Sequence, residues 1–335
     1  MQPLKKILIA GGGSAGWISA AMLAHYFEKG GCQVELIESE EIGTIGVGES
    51  TIPPFLQLIA SLGIDEREFI QATQASFKLG IRFEDWKQKG QHYYHPFGAI
   101  GGPIGPHEFY QCWLRAKANG HPSELQDFAP GTVMADQWKF MLPFKAQRSL
   151  IAGASYALHI DARLIAKVLR GFAEARGVKR TEGIVTDVVT HPDGSVAKVI
   201  MKNGQEVEGD LFIDCSGFRA ELIGKALGSP FKSARPILFA DRALACHTPY
   251  DRPDAPIQSY TVATAHEAGW TWDIGLAGAR GVGCVYSSDH MDDARAEAVL
   301  RDYLGGVEAE TRRIRFDAGY RPKQWIGNCV AVGLS

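Results

Sequence analysis

The strongest constraint on this chain lies in its first forty residues. "KKILIA" is a short apolar run of strand type, and "GGGSAGWISAAMLAHYF" is a glycine turn followed by small, helix-favouring residues. "CQVELIES" is a second apolar run that ends on acidic side chains. Gly11, Gly13 and Gly16 therefore form GxGxxG directly after a strand and directly before a helix. In that setting the first glycine makes the tight turn. The second lets a pyrophosphate approach the backbone, and the third lets the helix pack closely on the strand. The helix N-terminus at Ser14 and Ala15 presents N–H groups and the positive end of the helix dipole to the phosphates. Glu38 closes the second strand, where an acid meets a ribose hydroxyl. A glycine turn with no ligand is the plain alternative, and the complete βαβ context argues against it.

FAD fits the rest of the chain better than NAD. No second GxGxxG is present, which disfavours separate flavin and nicotinamide folds. After "ARGV" the chain runs into "TEGIVTDVV", where the backbone of Val185 is placed to meet an adenine. The later apolar runs "DLFIDCSG" and "NCVAVG" would complete a flavin sheet. Single-component flavin hydroxylases share this layout but carry Asp-Gly and Gly-Asp where this chain has Ser216-Gly217 and Gly333-Leu334.

Composition narrows the partners. The chain has 335 residues, 45% hydrophobic and 22% charged, which is enough apolar material for one large α/β unit or two joined subdomains. A net charge of -3 without a long basic run disfavours nucleic acid and anionic membranes. The N-terminus lacks the features of a signal peptide, and no apolar run is long enough to span a bilayer. The six cysteines are scattered without a CxxC pair, so neither a disulfide framework nor a zinc site is expected, and a reducing cytoplasm fits. The ten histidines show no metal-ligand spacing, and no metal is assigned. His92, His95 and His107 lie near the expected substrate region, with surface or loop roles as the readier reading.

Further along, "IPPFLQLIASLGI" and "DEREFIQATQAS" read as helices, the first opening at Pro53 and Pro54. Residues 93–130 read as irregular ordered loops with some helix. "HIDARLIAKVLRGFAEARG" is an amphipathic helix with Leu164, Ile165, Val168, Leu169 and Phe172 at helical spacing. The turns "PDG" and "KNG" divide the following stretch into a β-meander. Short β-like runs from Ala220 to Tyr286 suggest a second sheet, and "DDARAEAVLRDYLGG" is a helix. "NCVAVGLS" opens another buried strand, and an end there suggests that a longer protein continues beyond it.

In "SFKLGIRFEDW", Phe77, Leu79, Ile81 and Phe83 alternate with Lys78, Gly80, Arg82 and Glu84. The pattern is that of a strand with one apolar and one polar face. On this stretch alone Lys78 reads as a surface lysine. Taken with "GGGSAGW", "TIGVGESTIP", "GWTWDIG" and "NCVAVGLS", it resembles the flavin-dependent halogenases, whose best-known members halogenate tryptophan. The resemblance runs from the first residue to the last.

That resemblance implies a monooxygenase-like, GR2-type FAD-binding Rossmann-like α/β fold with an inserted β-sheet substrate region. FAD-binding segments would span about 1–90, 155–220 and 310–335, and substrate-region segments about 91–154 and 221–309, with a C-terminal helical part missing. Reduced FAD, dioxygen and chloride or bromide would yield hypohalous acid. A lysine would hold that acid beside an electron-rich, indole-like arene, and Lys78 matches this lysine. "TIGVGES", Thr44 to Ser50, would be the strap over the flavin, with Gly46, Gly48, Glu49 and Ser50 in the cofactor set. Leu334 would approach the flavin through its backbone. Trp270 and Trp272 would line the path between the two sites. Gly275 stands where the family's WxWxIP signature has proline, and Asp273 is also atypical. The glutamate expected to assist proton removal from the arene cannot be named in this chain. The expected partners are a separate flavin reductase and a small aromatic substrate, with a homodimer left open. An aromatic monooxygenase and a non-catalytic FAD-binding remnant remain as alternatives.

Overall fold

The apolar run Lys6–Ala10 becomes a central strand of a largely parallel sheet in the computed structural model, which describes residues 3–28, 30–42, 46, 48–143, 153–252 and 254–335. The chain divides into two compact units. The first comprises Met1–Gly46, Ala162–Phe239 and Phe316–Ser335. Its six-stranded sheet runs in the order Trp325–Ile326, Cys329–Ala331, Leu211–Asp214, Lys6–Ala10, Gln33–Glu38, Lys179–Glu182. All neighbours are parallel except the first pair. Ile7, Leu8 and Ile9 are fully buried, as in a strand covered on both faces.

The helices Ser14–Phe27 and Ala162–Glu174 pack on each other. The second buries Ile165, Ala166, Leu169 and Ala173. The buried stripe is thus centred on alanines where the helix meets its neighbour, while Leu164, Val168 and Phe172 are only half-buried. The expected meander is present as Val185–Thr190, Val196–Met201 and Glu206–Glu208. Its Val196, Val199 and Met201 pack with Leu8, Ile37 and Phe212 of the sheet.

The second unit comprises Val47–Asp161 and Ala240–Arg315. Its seven-stranded sheet runs in the order Arg312–Arg315, Arg242–Thr248, Arg280–Tyr286, Gly269–Gly275, Thr261–His266, Gly80–Glu84, His92–Pro96. Only Thr261–His266 against Gly80–Glu84 is parallel. Leu244, Cys246, Val282 and Cys284 pack under Ala296 and Leu300 of the helix Asp293–Tyr303, which Asp292 caps by accepting from the N–H of Arg295. A smaller sheet places Ala157–Ile160 between Glu49–Ser50 and Ser76–Lys78.

One expectation changes here. "SFKLGIRFE" is two strands, not one, because Leu79 leaves both ladders: its N–H donates to Ser259 O at 2.7 Å and its carbonyl accepts from Phe97 at 2.8 Å. The segment 76–96 hydrogen-bonds into the second unit's sheets. No helix among the described residues is long and apolar enough to cross a membrane.

Candidate active site

In the first unit, the expected cofactor residues gather at the carboxyl ends of the parallel strands, where open α/β sheets take their ligands. Gly11 has φ +112, and a Cβ there would lie 2.2 Å from the Cys215 carbonyl oxygen. A Cβ at Gly16 would lie 1.9 Å from Gly11 O, so that glycine serves packing. Gly13 differs: a Cβ there would meet nothing within 4 Å. Gly13 is also the helix N-cap without a side-chain hydrogen bond, and the first helical bond runs from Trp17 N to Gly13 O. The N–H groups of Ser14, Ala15 and Gly16 therefore have no partner within the helix. Open space beside a glycine at an uncapped helix N-terminus fits a pyrophosphate.

Glu38 accepts from Trp17 Nε1 at 3.1 Å and from Arg180 Nε at 2.6 Å. Its carboxylate lies over Gly12, where a Cβ would sit 1.7 Å from Oε2. Gly183 N donates to Glu38 O, two residues before Val185 enters the meander. Asp214, fully buried, accepts from Ser216 N and Oγ and from the N–H groups of Leu222 and Ile223, which fixes the Ser216–Gly217 loop. Gly333 lies against Ala15, and Gly217 N donates to Ser335 Oγ at 3.0 Å, which brings the exposed Leu334 to the same end of the sheet.

In the second unit, Lys78 is 3% exposed. The surface reading of this residue is overturned, because the polar face of its strand is turned inward. Strand register explains how. Ser50 and Ser76 both stand opposite His159, and Lys78 stands opposite Ala157, so Ser50, His159, Ser76 and Lys78 share one face. Lys78 Nζ donates to Ser50 Oγ at 2.5 Å and to Thr51 O at 3.1 Å, and stands 5.1 Å from the Phe97 ring centroid. Burial lowers its pKa to about 8. The amine is thus held by fixed acceptors and deprotonates far more readily than a surface lysine. Ser50, expected among the cofactor contacts, directs its hydroxyl to Lys78 and Thr261. Glu49 is half-buried beside it, on the opposite face.

Gly48 has φ +78, and a Cβ there would lie 2.9 Å from Gly281 Cα. Gly48→Val is expected to cost about 2–4 kcal/mol of stability, since both the conformation and the space exclude a side chain; a denaturant titration measures it. Gly46 lies at the edge of the first unit, and Thr44, Ile45 and Val47 of the expected strap lie outside the described residues.

Trp270 and Trp272 do share a face of the strand Gly269–Gly275. Trp272 covers Gly283, its pairing partner, and Trp270 packs 6.0 Å from Trp86. Trp272 Nε1 is buried without a hydrogen-bond partner among the described residues. Asp273, on the other face, is paired with Arg280 and accepts from Tyr303 Oη at 3.1 Å. Gly275 is confined: a Cβ would lie 3.0 Å from Ile257 Cγ2. His92, His95 and His107 are exposed. The reading of the sequence missed His159, Thr261 and Ser76. The available signal was a histidine inside the apolar run "YALHI".

Comparison with known proteins adds three findings. The family model described as tryptophan halogenase matches residues 6–335. The tryptophan 6-halogenase SttH of Streptomyces toxytricini is 36% identical, over 98% of this chain and 66% of its own length. Among solved structures, BrvH, a flavin-dependent halogenase from Brevundimonas sp. BAL3, superposes with a TM-score of 0.93 at 38% identity, over 99% of this chain and 66% of that one. Xcc4156, a flavin-dependent halogenase from Xanthomonas campestris, gives 0.92 at 41%, over 99% and 66%. The chain spans about two thirds of the length of the curated relatives it matches.

Proposed function

We propose, from the premise that this chain belongs to the tryptophan halogenase family, that it halogenates an electron-rich, indole-like arene with reduced FAD, dioxygen and chloride or bromide. The observation that carries this reading is the buried Lys78 amine on the inward polar face of its strand. FAD, when bound, supplies the redox chemistry: FADH2 + O2 + X− + H+ gives FAD + HOX + H2O. The arene then takes the halogen and releases water, ArH + HOX giving ArX + H2O. The turn Gly11–Gly16 would hold the pyrophosphate at the open side of Gly13, with the N–H groups of Ser14 and Ala15 as donors and Glu38 as the acceptor for the ribose. Lys78 holds hypohalous acid through its remaining N–H. Reduced flavin comes from a separate reductase, because the sequence holds no second GxGxxG for a nicotinamide.

The test is a product mass spectrum from the protein mixed with FAD, a flavin reductase, NADH, bromide and indole. A bromine isotope doublet that disappears when bromide is omitted is expected. Oxygenated indole without bromine would move the chain to the aromatic monooxygenases.

A further inference from the structure

His159 belongs to no part of the chemistry above, yet it is fully buried and has a partner on each ring nitrogen. Burial, together with the nearby Lys78 charge, pushes its pKa down to about 3, so the ring is neutral and carries one proton. Hydrogen counting then fixes every donor around it. Ser76 Oγ donates to the Gly275 carbonyl at 2.5 Å, since a carbonyl only accepts. With its proton committed, Ser76 cannot donate to His159 Nδ1, 3.3 Å away, so the ring proton is on Nδ1 and faces Ser76 Oγ and the Gly275 carbonyl. Nε2 is bare and accepts from Thr261 Oγ1 at 2.9 Å. With its proton committed, Thr261 accepts from Ser50 Oγ at 3.1 Å. With its own proton committed in turn, Ser50 presents only lone pairs to Lys78 Nζ.

We propose that His159 is a positioning residue for Lys78: acting through Thr261 and Ser50, it polarises a hydrogen-bond chain in one direction and obliges the lysine to donate into it. The proposal rests on the reading of Lys78 as the halogenating lysine. Two of the three ammonium protons are committed, to Ser50 Oγ and Thr51 O, so the third is the one offered to hypohalous acid in a fixed direction. The chain also opposes burial. A Ser50 hydroxyl that turns only lone pairs toward the amine favours its protonated form. By register Glu49 stands opposite Ile160, on the other face, and Asp273, on the strand of Gly275, is paired with Arg280.

The experiment reads the lysine itself and needs no turnover. The full chain is labelled with lysine carrying 13C at Cε and titrated by NMR, and the resonance absent from Lys78→Met assigns Lys78. In Thr261→Val the Ser50 hydroxyl loses its acceptor and can turn its proton toward the amine. The Lys78 midpoint is expected to fall by about one pH unit. Thr261→Ser restores the link and is expected to return the midpoint to the parent value. An unmoved midpoint in Thr261→Val, or the same fall in Thr261→Ser, overturns the proposal. If Thr261→Val does not fold, His159→Gln decides, because its side-chain oxygen can take the Thr261 proton in place of Nε2. A parent-like midpoint supports the chain, and a fall of about one unit overturns it. Failure of the parent protein to brominate indole would remove the purpose assigned to Lys78 and leave the directed hydrogen-bond chain standing, since the titration needs no turnover.

Discussion

Lys78→Ala is expected to bind FAD as the parent chain does and to return less than about one hundredth of its brominated product, the low end of what a positioned catalytic side chain contributes. The separation of the two effects follows from where the residues sit. The glycine turn and its helix belong to the first unit, and Lys78 with its acceptors to the second. Removing the lysine also removes a buried amine whose pKa burial had already lowered to about 8, so the loss of its two hydrogen bonds is partly offset and the fold persists. Flavin fluorescence titration measures the first quantity, and the bromine isotope doublet of the product the second. Brominated product at the parent yield would remove Lys78 from the chemistry.

Gly13→Val is expected to raise the FAD dissociation constant more than about tenfold, or 1.4 kcal/mol, with little change in melting temperature. The pairing of a large binding effect with a small stability effect is specific to this glycine. A side chain at Gly13 enters open space at the helix N-terminus, whereas one at Gly11 would strike the Cys215 carbonyl at 2.2 Å. Gly11→Val therefore serves as the contrast, losing fold and flavin together. Parent-like flavin affinity in Gly13→Val would place the pyrophosphate elsewhere.

The nucleotide half was legible in the sequence because its information is local. Turn, strand, helix and terminal acid lie within residues 6–38, and the periodicity of each run states its own conformation. The meander was equally legible from its turns at Gly194 and Gly204, both at positive φ. Lys78 was a different case. Alternation placed it on the polar face of a strand, and local reasoning sends that face to solvent. The structure turns it inward because Ser76–Lys78 pairs with Ala157–Ile160, a partner about 80 residues away, and periodicity carries no information about pairing at that distance. His159 escaped notice for the same reason. Nothing in "YALHI" shows that Ser50 and Ser76 flank it, or that Thr261 caps its free nitrogen. The break at Leu79 likewise depends on Ser259 and Phe97, neither adjacent in sequence. Family resemblance placed Lys78 in the chemistry; the resemblance could not supply the hydrogen-bond directions.

The order of strands in the first unit also bears on how the chain is made. Lys6–Ala10 finds one neighbour, Gln33–Glu38, almost at once, but its other neighbour, Leu211–Asp214, is translated about 200 residues later. At roughly 5–20 residues per second on a ribosome, one flank of this very apolar strand waits on the order of 10–40 seconds for its partner. An unpaired strand flank of that kind templates wrong pairings. Newly made copies should therefore depend on chaperone capacity, and slowing translation would lengthen the interval of risk instead of easing it.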